Sequence, residues 1–227
     1  MNVAVITAAG SGVRMGFPGG KQYLDLSGDP LLAHGIRAFE SSPVIDTIVV
    51  VVNESDIPLC RDIASRFAFR KVAAIVGGGA ERQHSVYRGL EALPVGAERV
   101  AIHDGARPLV TPSLIELCFA SLEGWEGVVP GVALKDTPKA VEGDSVVETL
   151  DRDRLRAAQT PQVFPFGVII EAHRRARSEG FLGTDDASLV ERIGGRVRLV
   201  QGSEDNIKIT TPTDLVVAKA ILGTRKQ

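Results

Sequence analysis

Short runs rich in valine and isoleucine recur along the chain and alternate with segments that have the periodicity of amphipathic helices. The apolar runs do not alternate strictly with polar residues, which is typical of strands buried on both faces. Five of them are predicted to be strands, at 3–7, 47–52, 72–76, 100–102 and 127–132. Strands that alternate with helices require right-handed crossover connections, so the sequence predicts an α/β fold with a doubly wound, mostly parallel sheet.

The helices between these strands are predicted from apolar spacing and from residues that favour helix N-termini. Residues 30–40, 112–122 and 212–222 each have apolar side chains at helical spacing and a proline suited to the first turn. The residues before these prolines, which are Asp29, Thr111 and Thr211, are candidate N-caps. Ligands of doubly wound sheets bind beyond the carboxyl ends of the strands. We therefore expect a site in the loops that follow these ends.

Residues 134–153 break this alternation. The segment has two short alternating pieces around Glu142, Gly143 and Asp144, a pattern that predicts a β-hairpin. Its polar composition excludes it from the core. We therefore expect a single domain, residues 1–227, with a projecting β-arm over 134–153 that packs on a second subunit.

Charge and cysteine content narrow the class of protein. The 227 residues include 26 Lys and Arg against 28 Asp and Glu, a net charge of −2, without the basic excess usual in nucleic-acid-binding proteins. Cys60 and Cys118 are isolated, so we predict neither a disulfide framework nor a zinc site, and we expect a cytoplasmic protein. The longest aliphatic run, 48–52, is too short to span a membrane, and the N-terminus has no signal-peptide pattern.

A glycine-rich turn follows the first predicted strand. Residues 8–16, AAGSGVRMG, lack the glycine spacing of a dinucleotide fingerprint, and Met15 and Gln22 exclude a Walker A loop. The turn can still present backbone N–H groups to an anion at close range, and Arg14 and Lys21 can add cations. A structural turn with two solvated cations is the alternative.

Two further loops lie at the same predicted edge of the sheet. The glycines at 77–79 precede a helix that starts near Glu81, and a helix N-terminus there can hold a phosphate. Bare backbone that packs against a base edge and a plain strand–helix turn are the alternatives. Asp104 follows another buried strand, where an ionised carboxylate is costly without a partner. A Mg²⁺ ion that accompanies a triphosphate is one candidate partner, and Arg107 is the other. His103 is predicted to pack or to form hydrogen bonds rather than to bind a ligand.

The C-terminal half adds further polar segments. Lys208 lies between two isoleucines, and in a strand it would point away from them into a cleft or protect a sheet edge. Thr184 is a candidate helix cap, and His173 is predicted on a solvated helix face. The D-x-D pattern at 151–153 occurs in sugar-nucleotide glycosyltransferases, but no apolar strand precedes it.

Taken together, eight segments resemble a known family. AAGSGVRMG with Lys21, GGGAER, IHDGARP, DTPK, TLDR, QTPQ, TDDAS and DNIKIT occur in this order between residues 7 and 214, as in the 2-C-methyl-D-erythritol 4-phosphate cytidylyltransferases. The resemblance implies a Rossmann-like nucleotidyltransferase fold and a homodimer that exchanges the β-arm. It also implies the Mg²⁺-dependent reaction of CTP with methylerythritol phosphate, which releases pyrophosphate in non-mevalonate isoprenoid synthesis.

The resemblance assigns roles to individual residues. The implied catalytic cations are Arg14, Lys21, Arg152 and Lys208. The implied CTP-binding residues, of which Asp104 is also the Mg²⁺ ligand, are Ala8, Ala9, Gly10, Ser11, Gly12, Arg14, Lys21, Gly78, Gly79, Arg82, Ser85 and Asp104. The implied sugar-phosphate pocket consists of Arg107, Thr137, Arg152, Thr160, Thr184 and Lys208, with Thr137 and Arg152 supplied by the second subunit.

Two other functions fit parts of the sequence. A ribitol-5-phosphate cytidylyltransferase shares the first loop, the IHDGARP type of loop and the TPQ region, but DTPK and TLDR favour the methylerythritol enzyme. A nucleotide sensor without turnover would bind CTP, but it would have no need to retain Arg14, Lys21 and Lys208 together.

Overall fold

The computed structural model describes residues 1–10 and 20–225, and they form a mixed sheet with helices on both faces. In chain order the strands and helices are β1 (Asn2–Thr7), β2 (Asp25–Leu26), β3 (Asp29–Pro30), α1 (Leu31–Ser41), β4 (Thr47–Val52), α2 (Ile57–Arg66), β5 (Val72–Gly77), α3 (Arg82–Glu91), β6 (Arg99–Asp104), α4 (Pro112–Ala120), β7 (Gly127–Ala133), β8 (Lys139–Glu142), β9 (Ser145–Thr149), β10 (Arg156–Ala158), β11 (Gln162–Pro165), α5 (Phe166–Ser178), α6 (Asp186–Arg192), β12 (Val197–Gln201) and α7 (Pro212–Arg225).

The order of the strands reverses beside β1. Across the described residues the main sheet runs β5-β4-β1-β6-β11-β7-β10, and β12 also pairs with β7. The pairs among β5, β4, β1 and β6 are parallel, whereas β11 is antiparallel to both β6 and β7. The chain moves outward from β1 to β5 and then returns to β6 on the other side of β1. A crevice therefore opens between the carboxyl ends of β1 and β6, where such sheets bind ligands.

The five predicted strands are confirmed as β1, β4, β5, β6 and β7, and the fold class is confirmed with them. Successive side chains of a strand point to opposite faces, and the neighbours Val5 and Ile6 accordingly belong to different core clusters. Phe39 of α1 packs in the cluster of Ile6, and Leu90 of α3 packs in that of Val5. Helices on both faces explain the continuous apolar runs.

Two of the three predicted helix caps are confirmed. The Leu114 amide donates to Thr111 Oγ1 at the start of α4, and the Asp214 amide donates to Thr211 Oγ1 at the start of α7. The prediction for Asp29 is wrong, because Pro30 occupies the cap position of α1. Asp29 instead pairs with Arg37 at 2.8 Å.

The hairpin predicted within 134–153 is confirmed as the antiparallel pair β8 and β9. Gly143 at its tip has a φ of 57°, a conformation that favours glycine. Val141, Val146 and Val147 are 59%, 58% and 54% exposed on the hairpin. The hairpin therefore leaves apolar side chains uncovered in the single chain, and its contact with a second subunit stays a prediction.

The cysteines are two separate free thiols. Cys60 and Cys118 are both buried and unpaired, as predicted. Burial raises the pKa of each thiol to about 12, so both are protonated at neutral pH. Among the described residues, no helix is both long and apolar enough to cross a lipid bilayer.

Candidate active site

A cleft of about 560 Å³ lies where the strand order reverses. The turn after β1, the loop after β5 and the carboxyl end of β6 form its walls. It contains these predicted nucleotide-binding residues: Ala8, Ala9, Gly10, Lys21, Gly79, Arg82, Ser85 and Asp104. Lys208, which was predicted to bind the sugar phosphate, also lines it. Gln22, Asn53 and Glu81 line it as well, although none of these three was predicted to be a site residue.

The glycine loop after β5 is packed tightly against the turn after β1. A Cβ atom on Gly78 would overlap the Ala9 methyl group and would lie 2.8 Å from Ser85 Oγ. The Gly79 amide donates to Ser85 Oγ at 3.0 Å, and that hydroxyl lies 3.2 Å from the Glu81 carbonyl oxygen. Glycine is therefore needed at 78, and Ser85 fixes the shape of the loop. Gly78 itself is absent from the lining of the cleft.

Asp104 is the centre of an ion cluster at the end of β6. Arg82 Nε lies 2.8 Å from Asp104 Oδ1, and Lys208 Nζ lies 2.6 Å from Oδ2. Burial disfavours the charged carboxylate, but the charges of Arg82 and Lys208 outweigh it and hold the pKa of Asp104 well below its ordinary value. The alternative of a salt bridge from Asp104 to Arg107 is not seen, because two other cations occupy the carboxylate.

Lys208 lies in an irregular segment between β12 and α7, so the prediction that it lies in a strand is wrong. The Ile209 amide donates to the Ala106 carbonyl at 2.8 Å, and the Ile209 side chain is fully buried. This anchoring directs Lys208 toward Asp104 without strand pairing. Lys21 Nζ donates to the Ile209 carbonyl at 3.1 Å, which holds the two lysines beside each other at the cleft.

A second cleft, of about 260 Å³, lies on the other side of the ion cluster. It shares Arg82, Asp104 and Lys208 with the larger cleft. The predicted sugar-phosphate residues that line it are Arg107, Thr160, Thr184 and Lys208, and Gln159, Gln162 and Asp185 line it as well. The two clefts therefore meet at three charged side chains.

Arg107 is held at the rim of the second cleft by backbone carbonyls. Its Nη1 donates to the Asn206 carbonyl at 2.7 Å, and its buried Nε has no hydrogen-bond partner in the part of the chain that the structure describes. Burial lowers the pKa of Arg107 from its ordinary value, and arginine is still a cation at neutral pH. The side chain therefore brings positive charge to this cleft.

The hydroxyl proton of Thr160 is used within the protein. Burial lowers the pKa of His103 to about 4, so its ring is neutral at pH 7. His103 Nε2 lies 3.1 Å from the Arg107 carbonyl, which can only accept, so Nε2 carries the proton. Nδ1 must then accept from Thr160 Oγ1, 2.9 Å away, while Oγ1 accepts from the Asp104 amide. Thr160 thus positions Asp104, and His103 forms hydrogen bonds as predicted.

The remaining predicted residues fall into two groups. Ser11, Gly12 and Arg14 lie outside the described residues. Thr137 and Arg152 line neither cleft, and Arg152 Nη1 donates to the Lys135 carbonyl at 3.1 Å.

Two predictions in the C-terminal half are wrong. Asp185 rather than Thr184 caps α6, because its carboxylate accepts the Ser188 amide at 2.9 Å. His173 is 1% exposed and bonded to Asp186 rather than solvated. Sequence signals existed for both: Asp is as good an N-cap as Thr, and His173 falls between Ile169 and Ala176 on the apolar stripe of α5.

A doubly wound sheet with a glycine-rich wall, and with lysine and arginine side chains between two adjoining clefts, defines an enzyme of the nucleotidyltransferase class. The family profile described as 2-C-methyl-D-erythritol 4-phosphate cytidylyltransferase matches residues 2–224. The chain belongs to that family.

Individual relatives agree in name and in fold. A 2-C-methyl-D-erythritol 4-phosphate cytidylyltransferase of Syntrophotalea carbinolica is 49% identical, over 97% of this chain and 95% of that protein. One of Geobacillus kaustophilus is 48% identical, over 98% and 97%. The crystal structure of the 4-diphosphocytidyl-2C-methyl-D-erythritol synthase of Anaerococcus prevotii superimposes with a TM-score of 0.88, at 30% identity over 98% and 96%. The Thermus thermophilus cytidylyltransferase gives 0.81, at 32% identity over 98% and 99%.

Proposed function

We propose that this chain transfers CMP from CTP to 2-C-methyl-D-erythritol 4-phosphate. A phosphate oxygen of the sugar attacks the α-phosphorus of CTP, a new P–O bond forms, and the bond to the β-phosphate breaks to release pyrophosphate. The observation that carries this proposal is the meeting of two clefts at Arg82, Asp104 and Lys208. The larger cleft suits the nucleotide and the smaller one suits the phosphorylated alcohol.

The positively charged side chains at the two clefts fit a reaction between two anionic substrates. The nucleophile is already an anionic phosphate oxygen, so no strong general base is required. The obstacle is to bring two anions together in line, which is a matter of positioning and electrostatic stabilisation. Lys21 and Lys208 stand beside each other at the cleft, where they can bind phosphate oxygens of both substrates. Arg107 would hold the phosphate of the sugar from the other side.

We propose Mg²⁺ as the cofactor, with Asp104 as its protein ligand. Mg²⁺ is commonly held by one or two carboxylates together with substrate phosphates, and each Asp104 oxygen keeps a lone pair beyond its present contact. Among the described residues, no cluster of three or more His, Cys, Asp or Glu side chains could hold a metal. Asp104 therefore fits an ion that arrives with the triphosphate, where the ion would neutralise phosphate charge.

The direct test is CTP-dependent release of pyrophosphate with each alcohol phosphate. We expect release with methylerythritol phosphate in the presence of Mg²⁺, and at least about tenfold lower kcat/KM with ribitol 5-phosphate, because a poorly fitted substrate loses transition-state binding. A preference for ribitol 5-phosphate would assign the other cytidylyltransferase activity. Binding of CTP with no turnover of either alcohol would assign a nucleotide sensor.

We also propose that the enzyme is a cytoplasmic homodimer in which the β8–β9 arm completes the partner's site. The exposed valines of the hairpin support the proposal that a second subunit covers this surface, since exposed apolar patches commonly mark interaction sites. Thr137 and Arg152 line neither cleft of their own chain. The two free, buried thiols suit a reducing compartment.

Mixing two inactive variants tests the shared site. Arg152→Ala and Lys208→Ala homodimers should each lose most of their activity, because each lacks one phosphate-binding cation. A heterodimer assembled from unfolded and refolded mixtures would have one site with both residues intact, so we expect mixing to restore activity. If Arg152 serves its own chain, both sites of the heterodimer stay defective and mixing restores nothing.

A further inference from the structure

Two buried residues behind the clefts, Asp186 and His173, are connected to the ion cluster through Arg82. Arg82 donates from Nε to Asp104 Oδ1 and from Nη2 to Asp186 Oδ2, both at 2.8 Å. The other oxygen of Asp186 lies 3.2 Å from His173 Nε2, and each of these two residues is 1% exposed. Neither lines the clefts that we assign to the substrates. Arg82 is the side chain that contacts both Asp186 and Asp104.

Asp186 balances the charge of the cluster. Arg82 and Lys208 contribute two positive charges, and Asp104 and Asp186 contribute two negative charges. Burial disfavours the Asp186 carboxylate, but the charge of Arg82 and the hydrogen bond from His173 hold the pKa of Asp186 below its ordinary value. Without the Asp186 carboxylate, Asp104 alone would balance the positive charges of Arg82 and Lys208 within this cluster.

The same contact determines how Arg82 approaches Asp104. Because Nη2 is held by Asp186, Arg82 binds Asp104 through Nε and one oxygen, which leaves the second oxygen to Lys208. An arginine without that restraint favours two parallel hydrogen bonds to both oxygens of a carboxylate. Such a rearrangement would displace Lys208 from Asp104.

His173 fixes the orientation of Asp186. A carboxylate can only accept hydrogen bonds, so Nε2 carries the proton of this contact. The ring stacks on Tyr87 with a centroid distance of 6.3 Å. Its buried Nδ1 has no hydrogen-bond partner among residues 1–10 and 20–225, a costly arrangement that an apolar ring would avoid. The hydrogen bond to Asp186 is therefore what an imidazole offers at this position and an apolar ring does not.

We propose that Asp186, oriented by His173, is a positioning residue that keeps Arg82 and Lys208 on separate oxygens of Asp104. The role of Arg82, Lys208 and Asp104 at the substrate phosphates rests on the proposed function. Asp186→Asn keeps the size of the side chain and removes its charge. We expect kcat to fall about 10- to 100-fold, since small displacements of positioning groups have effects of this size.

Glu191→Gln is the matched control on the same helix. It also replaces a carboxylate by an amide of the same size, but Glu191 is exposed on α6 and forms no ion pair with Arg82, so kcat should be unchanged. A double-mutant cycle then separates positioning from folding. In an Arg82→Ala background, Asp186→Asn should have no further effect on kcat. An equal loss in both backgrounds would overturn the proposal.

Nuclear magnetic resonance of the Lys208 ammonium group gives a readout independent of turnover. The Lys208 Nζ–H groups, bonded to Asp104, should exchange slowly with solvent in the wild type and in Glu191→Gln, and quickly in Asp186→Asn, where Arg82 takes both Asp104 oxygens. His173→Phe should lower kcat and the protection of Lys208, whereas His173→Gln, which keeps an N–H donor, should restore part of both. Unchanged protection in a folded Asp186→Asn or His173→Phe variant would contradict the proposal. A wild type that does not turn over CTP would refute the proposed function and leave this measurement interpretable.

Discussion

Lys21→Ala is expected to lower kcat by about 10²- to 10³-fold, which corresponds to roughly 3–4 kcal/mol of lost transition-state stabilisation. Lys21 Nζ lies at the nucleotide cleft and donates to the Ile209 carbonyl. This bond places a positive charge next to Lys208 before the substrates arrive. A charge fixed in advance stabilises the phosphoryl oxygens as negative charge develops on them, and it requires little rearrangement during the reaction.

Two further variants separate this effect from a general loss of positive charge. Lys219→Ala removes a lysine of α7 whose side chain is 47% exposed, and it should keep the wild-type kcat. Lys21→Arg should retain part of the activity, because it keeps the charge but changes its geometry. Single-turnover measurements with saturating CTP would show the loss in the chemical step. A Lys21→Ala enzyme with nearly normal kcat would remove this residue from the mechanism.

Sequence periodicity predicted the strands whose own burial produces a long apolar run. The strands β1, β4, β6 and β7 are mostly buried, and β5, at the edge of the sheet, is partly buried, so their apolar runs are nearly continuous. The short strands β10, β11 and β12 escaped prediction because they are defined by their partners. Val163 of β11, for example, pairs with Ala101 on one side and Val128 on the other, and three to five residues carry too little periodic signal.

At the site, the sequence indicated several of the residues that meet but not which of them pair. Asp104 was predicted to need a partner, and Mg²⁺ and Arg107 were the two candidates. The structure instead brings Arg82 from the start of α3 and Lys208 from the C-terminal segment. Such pairings depend on how the crossovers place distant segments around one sheet edge, which a local pattern does not encode. Asp186 was not predicted to contact the site for the same reason, since its partner Arg82 lies on another helix.

Asp104→Asn is expected to impair both stability and activity. Asparagine leaves Arg82 and Lys208 without the carboxylate between them, and breaking a buried ion pair costs about 3–5 kcal/mol. Both cations are partly exposed, at 31% and 38%, so solvent screening reduces the expected cost to about 2–3 kcal/mol. Turnover should fall by about 10²-fold or more, since the variant also loses the proposed Mg²⁺ ligand. Urea unfolding and pyrophosphate release measure the two effects separately.

The pH dependence of this stability difference identifies Asp104 as its source. The pKa of Asp104 is lower in the folded protein than in the unfolded chain, where a value of about 3.9 is expected. The unfolded state therefore binds more protons in acid, so the contribution of Asp104 is fully present above about pH 5 and is lost as the pH falls. The difference in free energy of unfolding between wild type and Asp104→Asn should shrink accordingly from pH 6 toward pH 3. Asp62→Asn, at an exposed position of α2, should show no comparable difference at any pH. A difference for Asp104→Asn that stayed constant over this range would mean that the ion cluster does not stabilise the fold through the charge of Asp104.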